Sequence, residues 1–257
     1  MKRELNIFLH ALQYYTRFPV PFKVNFSERN LSKSLRYFPL IGALIGGIGS
    51  LVFYLSGLIL PHIIGLLFAI SAILLITGAM HEDGLSDFLD GFGGGNSKED
   101  ILRIMKESSI GVFGTIGLII TILTKISCLY LIPEDNLISA LISANVSSRL
   151  WPIILVNTST YAREGLSKAS YTRKKTDRTT ILIATITALA PLLYFKWHFS
   201  LLYLVLSIIF FFAYRGYLNR RLSGFTGDTL GALQLINELL FYITFLATFK
   251  SCGVLYI

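Results

Sequence analysis

Seven stretches of this 257-residue chain run for close to 20 residues each with almost no charge. A bilayer's hydrocarbon core, about 30 Å thick, is crossed by roughly 20 apolar residues wound as helix, and in lipid a helix satisfies its own backbone polar groups. The stretches are Pro39 to Leu60, His62 to Met80, Ile110 to Ile132, Leu137 to Asn157, Thr179 to Phe195, Phe199 to Leu218 and Thr229 to Phe249. They predict an all-α polytopic membrane bundle of about seven transmembrane helices, with six to eight as the range. The fifth stretch is short, and the fourth and seventh each carry a charge, Arg149 and Glu238. Composition agrees, since 53% of the residues are hydrophobic and only 15% are charged, against about 25% charged in an ordinary globular domain. So apolar and aromatic a chain is not disordered. Its 23 Lys and Arg exceed its 15 Asp and Glu, but they are scattered between apolar runs. The predicted partner is therefore a lipid bilayer and not a nucleic acid. Cys128 and Cys252 lack CxxC spacing, so neither a disulfide framework nor a zinc site is expected.

The basic residues orient the spans. Nineteen of the 23 lie in the N-terminal segment and in the loops after the second, fourth and sixth stretches. Lys196 and Lys250 alone lie on the other side. Lys and Arg concentrate in cytoplasmic loops, so the N-terminus and those three loops are predicted to face the cytoplasm, with the C-terminus opposite. The first residues do not form a signal peptide, because His10 and Gln13 interrupt the apolar run and no small-residue cleavage site follows. Leu5, Phe8, Leu9 and Leu12 fall at i, i+3, i+4 and i+7, which predicts an amphipathic helix lying in the membrane interface; the alternative is that it packs against the bundle. No repeat or linker divides the chain. Residues 1–257 are thus expected to form one membrane-embedded domain, with residues 1–35 as its interfacial segment and 81–109 as an acidic cytoplasmic loop.

That loop carries seven of the fifteen acids, Glu82, Asp83, Asp87, Asp90, Glu99, Asp100 and Glu107. On a helix, Asp83, Asp87 and Asp90 at i, i+4 and i+7 fall within about 60° of one another. Carboxylates so crowded repel unless a cation neutralises them, and hard oxygen ligands suit Mg2+ or manganese shared with a substrate phosphate. Glu82, Asp83, Asp87 and Asp90 are the candidate metal ligands. The plain alternative is a solvated acidic face capping the third span. Gly91 to Gly95, reading Gly-Phe-Gly-Gly-Gly, would let backbone amides approach a phosphate, or would be a simple loop.

Charge inside a span points to function, since burying it costs a few kcal/mol. Arg149 either meets a phosphate or pairs with Glu238 or a loop carboxylate. Asp228, at the entrance of the last span, is a candidate for a second metal or a substrate hydroxyl, or else a helix N-cap. His81 stands among the acids, whereas His10, His62 and His198 have no charged neighbours in sequence.

Taken together, these residues resemble cobalamin synthase, the adenosylcobinamide-GDP ribazoletransferase family. The likeness rests on Thr16 to Pro21, Phe38 to Gly42, Gly78 to Gly91, Ile104 to Gly114, Tyr161 to Leu166 and Phe225 to Ala232, in that order. The most specific stretch is His81-Glu82-Asp83-Gly84-Leu85-Ser86-Asp87-Phe88-Leu89-Asp90-Gly91. Glu107, Ser109 and Ser223 depart from the residues common in that family. The resemblance implies a magnesium-dependent transferase that joins adenosylcobinamide-GDP to α-ribazole or its 5′-phosphate, giving adenosylcobalamin or its 5′-phosphate and GMP. It implies in-line attack by a ribose hydroxyl on the pyrophosphate, with Asp90 or His81 taking the proton. Arg163 and Arg149 would meet phosphate oxygens, and Lys106, Asp228 and Glu238 are the further substrate-binding candidates. The implied setting is a prokaryotic inner membrane with the site facing the cytoplasm, and a homo-oligomer or an association with other cobalamin-assembly enzymes is left open. Two other readings compete: a membrane phosphotransferase of the CDP-alcohol phosphatidyltransferase type, because Asp87 to Gly91 reads Asp-x-x-Asp-Gly, and a transporter whose acids bind an ion. A transporter would place its charges nearer the midplane.

Overall fold

The structure, a computed structural model, describes residues 2–20, 27–163 and 175–251. Lys168, Arg173, Lys174, Cys252 and the end of the Tyr161 to Leu166 motif lie outside the described residues. Among the described residues, twelve α-helices follow one another: α1 Lys2–Tyr15, α2 Glu28–Ser34, α3 Phe38–Gly57, α4 His62–Thr77, α5 Met80–Gly94, α6 Lys98–Ile104, α7 Val112–Leu131, α8 Glu134–Ser147, α9 Leu150–Thr158, α10 Arg178–Leu189, α11 Trp197–Leu222 and α12 Gly227–Ser251. The protein is an integral membrane helical bundle. Arg29–Gly57, Val112–Leu131, Glu134–Thr158, Trp197–Leu222 and Gly227–Phe249 are long and apolar enough to cross a bilayer.

The two remaining predicted spans are built differently. Arg178–Tyr194 is a shorter apolar helix, closed by a 3-10 turn at Ala190–Tyr194. It still runs between the two ends of the bundle: Asp177 before it meets Arg36 at 3.7 Å, and Tyr194 shares a cleft with Asn136 near the start of α8. The stretch from His62 to Met80 is cut short. α4 ends at Thr77, and the chain bends by 83° into α5. Gly78 and Ala79 make the bend with φ of 65° and 54°. Glycine takes the left-handed conformation without strain, whereas alanine there costs about 1–2 kcal/mol. The acidic stretch expected as a loop is therefore two helices, α5 and α6, and α5 packs along the first turns of α12 and α7.

Burial sorts the helices. α7 and α11 expose Ile116, Ile119, Leu123, Leu201, Ile209 and Phe212, the apolar surface that lipid covers. α8 and α9 are mostly buried in the centre, beside α3 and α12. Close approach there depends on glycine, since a Cβ on Gly46 of α3 would stand 2.9 Å from the Ile142 Cα of α8; small residues at such contacts let membrane helices approach.

The N-terminal helix packs against the bundle. Ile7 and Ala11 are fully buried, Leu5 is 57% exposed, and Tyr15 stacks on Phe38 with centroids 4.2 Å apart. The buried face runs through Ile7, His10, Ala11 and Tyr15, turned from the one predicted. Arg36, buried just before α3, ties this layer together by meeting Glu4 of α1 at 3.2 Å and Thr180 of α10 at 3.1 Å.

Candidate functional site

The site forms where α5 crosses the start of α12. A Cβ on Gly84 would stand 2.9 Å from the Asp228 carbonyl oxygen, so only glycine lets the two backbones come this close. Thr226 and Thr229 cap α12 reciprocally: the Thr226 amide donates to Thr229 Oγ1 at 2.9 Å and the Thr229 amide to Thr226 Oγ1 at 3.3 Å. Thr226 thus takes the N-cap role expected of Asp228, whose carboxylate is left for other partners. Ahead of this cap, a one-residue parallel bridge joins Tyr161 to Phe225, with the Ala162 amide donating to the Phe225 carbonyl at 2.8 Å. That bridge sets Arg163 beside Asp228, and the two form an ion pair at 2.9 Å. Arg163 also donates to the Met105 carbonyl at 3.3 Å.

A cavity of about 720 Å³ opens beside this pair. His81, Asp83, Arg163 and Asp228 line it, together with Tyr15, Phe38 and Arg17. His81 is buried, its ring lies 6.2 Å from that of Phe38, and its Nε2 has no hydrogen-bond partner among the described residues. A buried ring nitrogen left without a partner is costly in isolation, and a substrate hydroxyl would satisfy it. Asp83 is exposed and Asp87, one turn further along α5, is half-buried. Partial burial, with help from Asp228, Asp83 and Asp90 and against Arg163, pushes the Asp87 carboxyl up to about 7. Asp228 thus adds to the field that the acids of α5 place on Asp87.

Among the described residues, no three His, Cys, Asp or Glu side chains stand close enough to hold a metal ion by themselves. The donors nonetheless suit magnesium, which takes hard oxygens, keeps several waters and is commonly held by one or two carboxylates together with substrate phosphates. Asp83 and Asp87, one turn apart on α5, are carboxylates of that kind.

Five of the expected site residues lie elsewhere. Asp90 is buried and turned to the start of α7, where its two oxygens accept the amides of Gly111 at 2.7 Å and Gly114 at 2.8 Å; it engages backbone where a metal or a proton was expected. Glu82, half-buried with its buried Oε2 unpartnered among the described residues, is within electrostatic reach of Lys125, Glu238 and Arg149 and does not line the cavity. Glu238 pairs with Lys125 at 2.6 Å, both side chains at most 5% exposed, and accepts from Gln234 and Tyr242 at 3.2 Å. Arg149 donates to the Asn145 carbonyl and side chain and lies over the Phe38 ring at 5.3 Å. Neither Arg149 nor Glu238 lines the cavity, and Glu238, one of the partners left open for Arg149, pairs with Lys125. Lys106 is exposed and does not line the cavity.

Arg17 is the cavity residue that the sequence reading missed. Its motif was part of the resemblance, yet its charge was spent on orienting the chain. The signal available was a lone arginine after an interfacial helix, and nothing local tied it to Gly78.

Comparison with known proteins places these features in a family. A family model described as cobalamin-5-phosphate synthase matches residues 7–246. The adenosylcobinamide-GDP ribazoletransferase of Leptospira interrogans is 40% identical over 263 residues, covering 98% of each chain. The protein of that name from Vibrio cholerae is 37% identical over 96% of this chain and 95% of its own, and that of Shewanella amazonensis is 37% identical over 95% and 96%. No solved structure matches.

Proposed function

The chain belongs to the cobalamin-5-phosphate synthase family, and on that premise we propose that it is the transferase joining adenosylcobinamide-GDP to α-ribazole or its 5′-phosphate, with release of GMP. A ribose hydroxyl attacks the phosphorus nearest the cobinamide, the bond from that phosphorus to the GMP oxygen breaks, and the hydroxyl proton passes to a base. The observation that carries this reading is the cavity that brings His81, Asp83 and the Arg163–Asp228 pair together at the basic end of the bundle. Such transfers depend mainly on positioning and on neutralising charge.

His81 is the base in this reading, because it lines the cavity with a buried, unpartnered ring nitrogen. Arg163, held by Asp228, offers its remaining guanidinium donors to phosphate oxygens, for which the planar fork is suited. Asp83 and Asp87 would hold magnesium, with Asp228 near enough to add to their field. Magnesium, when bound, would neutralise pyrophosphate charge that builds on the leaving group. Asp90, Glu82, Arg149 and Glu238 support the site from behind by fixing α5 and Phe38.

The asymmetry of basic residues supports a cytoplasmic orientation of this end in a prokaryotic inner membrane. The test uses sealed inverted vesicles, whose cytoplasmic face is outside, supplied with adenosylcobinamide-GDP, α-ribazole and magnesium. GMP is expected to appear in the medium at once, and only when both substrates are present. Intact protein in these vesicles that releases no GMP would refute the activity; release only from right-side-out vesicles would refute the orientation.

A further inference from the structure

Two cations line the cavity, Arg163 and Arg17. Asp228 neutralises Arg163 at 2.9 Å. Arg17 has no carboxylate within ion-pair distance among the described residues. Its position is built by the local fold. Thr16 ends α1 by donating its hydroxyl to the Leu12 carbonyl at 2.6 Å and accepting the Phe18 amide at 3.2 Å. The Arg17 amide donates to the Ile76 carbonyl at 2.7 Å, which attaches the segment to the end of α4. The guanidinium then lies directly over Gly78, where any Cβ would overlap its Nε. The residue that turns the chain by 83° into the acidic helix is thus also the floor on which Arg17 rests.

Charge makes the consequence specific. Asp83 and Asp228 share the cavity with the two cations, and the charge of Arg163 is already offset by Asp228. A substrate carrying two phosphates needs positive charge beyond that of Arg163, which Asp228 already offsets. We propose that Arg17 is a substrate-binding residue that grips a phosphate of the nucleoside-diphosphate group. This rests on the transferase reading above and adds to it a specificity element for the pyrophosphate substrate over the ribazole. A guanidinium at this depth would also suit an anionic lipid headgroup, so the experiment separates the two sources.

Full-length protein is placed in nanodiscs of phosphatidylcholine, with and without phosphatidylglycerol, and each substrate is varied at saturation of the other. For Arg17→Ala the KM for adenosylcobinamide-GDP is expected to rise roughly 10- to 100-fold, the range for a charge-assisted hydrogen bond, while the KM for α-ribazole stays within about twofold. Arg17→Lys, which keeps the charge and loses the fork, should fall between. In a second measurement, GDP with magnesium protects the wild type from thermal unfolding, and the half-protecting concentration rises by a similar factor in Arg17→Ala. Equal effects on both KM values, an unchanged KM with a lower melting temperature, or a defect confined to nanodiscs with phosphatidylglycerol would each overturn the proposal. If the wild type releases no GMP, the transferase reading fails and the GDP arm still judges Arg17. If the wild type is active and Arg17→Ala binds GDP equally well, only the Arg17 proposal fails.

Discussion

Asp87 is the single residue on which the proposed magnesium role can be tested most directly. An ordinary aspartate titrates near 3.8, and burial together with neighbouring carboxylates raises this one to about 7. The folded protein therefore holds this proton more tightly than the unfolded chain does. The group favours the fold at low pH, and that advantage is lost as the pH climbs from about 4 to 7. A divalent cation must displace the same proton, so its apparent affinity should increase up to roughly tenfold per pH unit below 7 and level off above it. Thermal unfolding in detergent across this range, with and without magnesium, checks both trends. Asp87→Asn should flatten the pH dependence and remove the magnesium effect, and should lower GMP release by roughly 100-fold or more, as expected when charge neutralisation is lost. The pattern of three acids on one helix face was legible in the sequence. That Asp228 would join them was not, because the contact spans 141 residues of chain (228 less 87) and arises only from the crossing of α5 and α12.

At the scale of elements, Asp90 changes meaning. On paper it is the third member of an acidic triad. In the fold it accepts the amides of Gly111 and Gly114, two of the donors that the first turn of α7 leaves without helical partners. A carboxylate at a helix N-terminus is favoured by the helix dipole as well. Asp90→Ala should destabilise the protein by about 1.5–3 kcal/mol for each charged hydrogen bond lost, and protease cleavage between α6 and α7 should rise. Magnesium affinity measured by thermal shift should stay near that of the wild type. A loss of magnesium binding without a loss of stability would return Asp90 to the role of ligand. The break between α4 and α5 belongs to this scale too. The apolar run continues to Met80, so hydropathy carries the span through the bend, and only the left-handed pair Gly78–Ala79 reveals where the helix stops.

Across the whole molecule, the buried charges form a polar centre beneath the site. Lys125 and Glu238 pair at 2.6 Å between α7 and α12, Asn145 of α8 reaches Glu238 at 3.5 Å, and Arg149 is linked to them through Asn145. Three helices are thus locked in register behind α5, and Glu82 brings a further acid to the same region. Breaking such a pair from one side leaves a bare charge in a medium that cannot solvate it. Lys125→Met should therefore cost about 3–5 kcal/mol, and pairing it with Glu238→Gln should restore most of the loss. Unfolding of the solubilised variants measures this directly. Restoration of stability without activity would show that the charges also set the geometry of the cavity.

The sequence by itself determined the class, the membrane, the sidedness of the basic residues and the acidic helix face, because each depends on periodicity or composition that a single stretch of chain carries. It also carried the family likeness, since the motifs are local strings. The tertiary structure alone decided which charges meet. Lys125 took Glu238, one of the partners open to Arg149, Thr226 took the cap that was one alternative for Asp228, and Arg17 arrived at the cavity from a segment that had looked merely interfacial. The physical reason is common to all three. Inside a membrane a charge must be paired or brought to a cavity, and which partner it finds is set by where helices distant in sequence cross.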